Sequence, residues 1–158
     1  MIVVTVGTQF FDELIAEVDR LVGAGVIQDK VYAQIGLCAT PPKHLDWVKF
    51  DRNLHDTMRE ADLIITHAGT GCVIEAVDIG KPFIAVVNGY KAGDHQREFL
   101  EVLNSTHDFC WIDSPARLEA ALTEARPAKA LRGQSIDRLC ADIQKEMAFA
   151  GRSRRARQ

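Results

Sequence analysis

Six short apolar runs, most of them rich in β-branched residues, alternate with segments of helical periodicity along the whole chain. They are IVVTV (2–6), VYAQI (31–35), WVKF (47–50), DLIIT (62–66), PFIAVV (82–87) and FCWI (109–112). Most are apolar throughout rather than on every second residue, so both faces of each strand must be covered. Between them, Phe11, Leu14, Ile15, Val18, Leu21 and Val22 share one face at 3.6-residue spacing, which predicts a helix over 11–23. Further helices are expected over 54–60, from Gly71 to a stop at Gly80 before Lys81-Pro82, and over 95–104. Another should start at the Ser114-Pro115 cap and end near Ala125, and a last one should run over 134–149 with Ile136, Leu139, Ile143 and Met147 on one stripe. This alternation predicts an α/β fold, a Rossmann-like parallel sheet with helices on both faces.

The 158 residues suit one domain, expected over 1–150 with a C-terminal helix at 132–150 and a basic tail at 151–158. The tail, GRSRRARQ, reads as a solvated segment, with weak docking to phosphates or lipid headgroups as the alternative. A net charge of −3 gives no global attraction to nucleic acid. No apolar run reaches the ~20 residues that span a bilayer, and a strand starting at Ile2 leaves no leader, so a cytoplasmic protein is expected. Cys38, Cys72, Cys110 and Cys140 lack any CxxC spacing and fit reduced thiols.

In open parallel sheets ligands bind beyond the carboxyl ends of the strands. That rule singles out three loops: Gly7-Thr8-Gln9, His67 to Gly71, and Asn88 to Gln96. The second, in THAGTGCVIE (66–75), joins a buried strand to a helix N-terminus. Glycine there lets a ligand approach the backbone, and unpaired N–H groups with the helix dipole favour a phosphate or diphosphate. A purely steric need for Gly69 and Gly71 is the competing explanation. The turn is neither a dinucleotide fingerprint, since Ile74 stands where a third glycine belongs, nor a P-loop, since no Gly-Lys-Ser/Thr follows.

Glu75 lies one turn into that helix on the side of the loop. A carboxylate beside a diphosphate is useful as an acceptor for hydroxyls, and a ribose offers two; complementing the helix dipole is the plainer role. His67 is placed to donate into the same anion, or else is a satisfied structural residue. In the third loop, Asp94 is either an N-cap or a candidate base, and His95 and Gln96 either line a polyhydroxylated ligand or sit exposed in a first turn.

Taken together, VTVGTQFFDELI, VYAQIG, ADLIITHAGTGCVIEAVDIGKPFIAVVN and DHQREF resemble the nucleotide-binding, C-terminal half of GT-B glycosyltransferases of family 28. Within that group the resemblance is to small catalytic subunits of two-component enzymes, in dolichol-linked N-glycan assembly and in bacterial exopolysaccharide and capsule synthesis. It covers roughly residues 1–112. The resemblance implies that His67, Gly69, Thr70 and Gly71 hold the diphosphate of a UDP-sugar and Glu75 its ribose. It implies that His95 and Gln96 contact the donor sugar, that Gly7 and Thr8 line the same crevice, and that uracil lies near the loop after Phe50.

No Asp-x-Asp metal clamp is present, so the expectation is a metal-independent reaction without a cofactor, in which fixed amides, the helix dipole and His67 stabilise departing UDP. One lobe provides one wall of a cleft. A membrane-anchored partner subunit is therefore expected to supply the other wall, the lipid-linked sugar acceptor and a peripheral location at the cytoplasmic membrane face. The last helix and its arginine tail are the candidate docking segment, with packing of that helix on its own domain as the alternative. The expected chemistry is inverting displacement at the anomeric carbon; Asp12 and Asp94 are base candidates by position only, and a base on the partner is preferred. Two other classes stay open. One is a non-catalytic nucleotide-sugar-binding or enhancer subunit; the other is a nucleotide-sugar epimerase or hydrolase, which would act without partner or acceptor.

Overall fold

The computed structural model describes residues 1–89 and 93–127, together with residue 141. The elements described are β1 (Ile2–Thr5), α1 (Asp12–Gly23), β2 (Val31–Gln34), β3 (Asp46–Val48), α2 (Leu54–Glu60), β4 (Leu63–His67), α3 (Thr70–Ile79), β5 (Pro82–Val86), α4 (Gly93–His107), β6 (Cys110–Ile112), the 3-10 turn Pro115–Arg117, α5 (Leu118–Ala121) and β7 (Arg126–Pro127). The first six strands pair in parallel in the order β3-β2-β1-β4-β5-β6. The order reverses direction between β1 and β4, so the loops after these two strands diverge and open a crevice at their carboxyl ends.

Neighbouring strand residues point to opposite faces, and the apolar runs therefore feed two cores. Ile2, Val4, Val6, Ile65, Ile84 and Val86 pack with Leu14, Ile15, Val18 and Leu21 of α1 and Leu118 of α5. Val3, Ile64, Phe83 and Ala85 pack on the other face with Met58 of α2, Val73 and Ile74 of α3, and Phe99, Leu100 and Leu103 of α4. Helices thus cover both faces of a parallel sheet, as the apolar runs require. Among the described residues no helix is long and apolar enough to cross a membrane, and Cys38, Cys72 and Cys110 are free thiols.

Two helices differ from the sequence expectation. The segment after Ser114-Pro115 does not make a helix to Ala125. Ser114 Oγ accepts the Ala116 amide and opens the 3-10 turn, and α5 then ends at Ala121. The chain is drawn back to the sheet there, where Phe83 pairs with Arg126 and Pro82 with Pro127 in an antiparallel bridge. Helix α4 is longer than 95–104 at both ends. It closes at His107, where Asp108 adopts φ 44° and Asn104 Oδ1 accepts the Phe109 amide. The helix expected over 134–149 and the basic tail lie outside the described residues.

Phe83 and Phe109, both fully buried, stack with ring centroids 4.9 Å apart between β5 and α4. Replacing Phe83 with Ala should lower the free energy of unfolding by about 3–5 kcal/mol, seen as a lower urea midpoint at unchanged slope.

Candidate functional site

The crevice is floored by the ends of β1 and β4 and held in shape by polar side chains from within the sheet. Gln34, at the end of β2 and 5% exposed, is the central one. Its Nε2 donates to the Gly7 carbonyl at 3.0 Å and its Oε1 accepts the Asp51 amide at 2.8 Å. One buried amide thereby links the loop after β1 to the loop after β3. Asp51 extends the link: its carboxylate accepts from Tyr32 Oη (3.0 Å), Thr57 Oγ1 (3.4 Å) and the Asn53 amide (2.8 Å). Neither residue stood out from its neighbours in the sequence, although a lone glutamine inside the apolar run VYAQI was a signal.

His67 closes β4 and is 4% exposed. Its ring lies between two glycines: a Cβ at Gly7 would stand 3.0 Å from Cε1, and one at Gly69 would overlap Nε2. Gly69 has ordinary extended backbone torsions (φ −72°, ψ 132°), so the imidazole, and not backbone geometry, is what demands glycine there. At Gly69 the steric explanation therefore holds. Gly7 needs glycine twice over, since its φ is +61° as well. Burial pushes the His67 pKa below its ordinary value of 6.5, outweighing a smaller opposing pull from the Thr5 backbone, and no acceptor meets Nδ1 in hydrogen-bond geometry. The ring is accordingly neutral at pH 7.

Helix α3 begins at this point. Gly69 is its N-cap and offers no side chain to the first turn, which also carries no acidic residue. Among the described residues no acceptor takes the amides of Thr70, Gly71 and Cys72, the donors an α-helix leaves unpaired at its start. Gly71 is exposed, and a Cβ there would meet open space. The Cys72 thiol, its pKa raised by burial, stays protonated and adds no negative charge. The turn is an uncapped cluster of donors at the positive end of a ten-residue helix, open to solvent at Gly71.

Glu75 lies in the second turn of α3, so the first-turn dipole role considered for it does not apply. Its Oε1 is 2.9 Å from Nδ1 of His55, the second residue of α2. A carboxylate only accepts, so Nδ1 carries the hydrogen. Across the crevice, Thr8 is exposed and the buried Asn88 donates through Nδ2 to the Phe10 carbonyl at 3.0 Å. Gln96 Oε1 accepts the Asn88 amide at 2.8 Å, its Nε2 meets no acceptor among the described residues, and His95 is exposed beside it. Asp94 lies inside α4, which opens at Gly93, and is not its N-cap. Asp12 is occupied structurally: Oδ1 accepts the Ala39 and Thr40 amides at 2.8 and 3.0 Å, tying α1 to the loop after β2. Phe10, Leu37 and Phe50 form an apolar rim, 38%, 64% and 53% exposed, on the loops after β1, β2 and β3.

Residues 1–135 match the family described as glycosyltransferase family 28 C-terminal domain. Over 112 residues the chain is 34% identical to UDP-N-acetylglucosamine transferase subunit ALG13 of Mus musculus, covering 64% of this chain and 10% of that protein. With the Saccharomyces cerevisiae subunit of that name it is 29% identical over 98 residues, covering 57% of this chain and 48% of that protein. The chain therefore spans about a tenth of the mouse relative and about half of the yeast one. Among solved structures, the NMR solution structure of ALG13 superposes with a TM-score of 0.52 at 18% identity, over 82% of this chain and 88% of that one. The glycosyltransferase SnogD from Streptomyces nogalater gives 0.51 at 19% identity, over 93% of this chain and 39% of that one. The fold is that of the C-terminal half of a GT-B glycosyltransferase.

Two outcomes follow from the packing at His67. Gly69→Ala should destabilise the fold by about 1–3 kcal/mol through overlap with the ring, whereas Gly71→Ala should change stability by less than ~1 kcal/mol; thermal melts of the two variants decide it. A neutral buried imidazole also fixes a sign with pH. Above 6.5 neither state of the chain protonates His67; as pH falls below it only the unfolded chain does, so stability drops until the depressed folded pKa is reached. Urea unfolding at about pH 7.5 and about pH 5.5 should show a smaller acid loss for His67→Asn than for wild type; an equal loss refutes the neutral assignment.

Proposed function

The chain belongs to the glycosyltransferase family 28 C-terminal domain family, and on that premise we propose that it binds the UDP-sugar donor of a glycosyltransferase as its catalytic subunit. The observation that carries this reading is the set of unpaired amides at Thr70, Gly71 and Cys72, open at Gly71, with the Glu75 carboxylate one turn further along. The diphosphate takes the amides and the helix dipole, and Glu75 accepts from the ribose hydroxyls. His67 supports the turn from within, and negative charge gathering on the departing diphosphate favours its protonation. Gly7 and Thr8 line the opposite wall. Gln96, through Nε2, and His95 face the sugar, and uracil lies along the loop after Phe50 that Asp51 and Gln34 hold.

The reaction we assign is metal-independent and inverting. An acceptor hydroxyl oxygen attacks the anomeric carbon, the bond from that carbon to the diphosphate oxygen breaks, and a base takes the hydroxyl proton. Asp12 is spent on two backbone amides, which favours a base on a partner subunit. The apolar rim of Phe10, Leu37 and Phe50 suits a partner that closes the cleft, attaches the complex peripherally at the cytoplasmic membrane face and brings a lipid-linked sugar acceptor. The ALG13 relatives are, by name, transferase subunits, in keeping with an assembly of more than one chain.

The occupation of Asp12 equally suits a second reading, a non-catalytic donor-binding or enhancer subunit. Titration calorimetry should detect UDP binding to wild type, weakened about ten- to hundredfold in Glu75→Ala and also in Gly71→Ala, whose methyl intrudes on the open turn. No UDP binding by wild type refutes the proposal. In the assembled complex, catalysis by this subunit predicts loss of transfer with Glu75→Ala; retained transfer alongside weakened binding selects the enhancer.

A further inference from the structure

Helix α2 has no part in the binding scheme above, yet it sends one side chain into it. His55 reaches from the first turn of α2 to Glu75 on α3, Nδ1 to Oε1 at 2.9 Å, with side-chain exposures of 46% and 34%. A pair this open to solvent is screened by water and contributes little to stability. Its effect is on geometry: a glutamate side chain has three rotatable bonds, and an ordered donor on Oε1 removes most of that freedom before a ligand arrives. The Glu75 Oε2 atom has no donor among the described residues.

We propose that His55 is a positioning residue for nucleoside recognition, presetting Glu75 so that Oε2 faces the two ribose hydroxyls while Oε1 is held by the imidazole. This rests on the nucleotide reading of the site and deepens it. His55 touches no ligand itself. Position 55 therefore selects for a ribonucleoside diphosphate over ligands without the vicinal diol. Asn or His at 55 can do this, because the side-chain amide of Asn offers an N–H near the place of Nδ1; Ala cannot.

The test is calorimetry of wild type, His55→Ala and His55→Asn, each with UDP, 2′,3′-dideoxyuridine diphosphate and inorganic pyrophosphate. His55→Ala should weaken UDP roughly five- to tenfold and leave the dideoxy compound and pyrophosphate unchanged, and His55→Asn should restore most of the UDP affinity. In a Glu75→Ala background the His55→Ala change should have no further effect. If wild type binds UDP and His55→Ala binds it equally well, or if all three ligands weaken together and Asn fails to rescue, His55 is only a tie between helices and the inference is overturned while the nucleotide reading stands. If wild type ignores UDP, both are overturned.

Discussion

A buried imidazole determines how close two loops can come. His67 ends β4 with its ring in the space that Cβ atoms of Gly7 and Gly69 would fill, so the loops after β1 and β4 are spaced by the thickness of that ring. The amide cluster of α3 starts three residues later, at Thr70. Its position relative to the first loop is inherited from this contact, and a smaller or larger group at 67 would move the turn. Of the two glycines for which the sequence left ligand approach and steric need open, Gly69 is, with Gly7, a wall of the histidine pocket, and Gly71 faces open space.

The polar side chains around the crevice divide by depth. Deep down, Gln34 satisfies both ends of its amide across two loops, and Asp51 gathers three donors. Polar groups so placed stay fixed because an unpaired alternative is costly. At the start of α3 the groups left without acceptors among the described residues are helix amides, and the side chains beside them, a protonated thiol and an uncharged imidazole, are neutral. A site of this kind attracts an anion by oriented dipoles and not by net charge, which agrees with a chain whose overall charge is −3.

Strands were legible because sheet pairing rewards runs such as IVVTV and DLIIT locally, and the span of α2 agrees with its expectation residue for residue. Strand β7 was not: a two-residue bridge containing Pro127 has no periodicity to read, and it cut short the helix expected after Ser114. At the site, the turn was readable from its glycines and its place between a strand and a helix. The His55 contact, the Gln34 link and the Asp12 tie to Ala39 and Thr40 were not, since each joins elements whose approach only the folded sheet determines.

Strand β1 is first in the chain and lies at the middle of the sheet, flanked by β2 and β4. Its second neighbour ends at His67, and the core against α2, α3 and α4 needs residues up to Phe109. The centre of the sheet therefore closes only when segments far apart in sequence pair, Ile2 with Leu63 and Thr5 with Thr66, and such non-local pairing folds more slowly than the local pairing of hairpins.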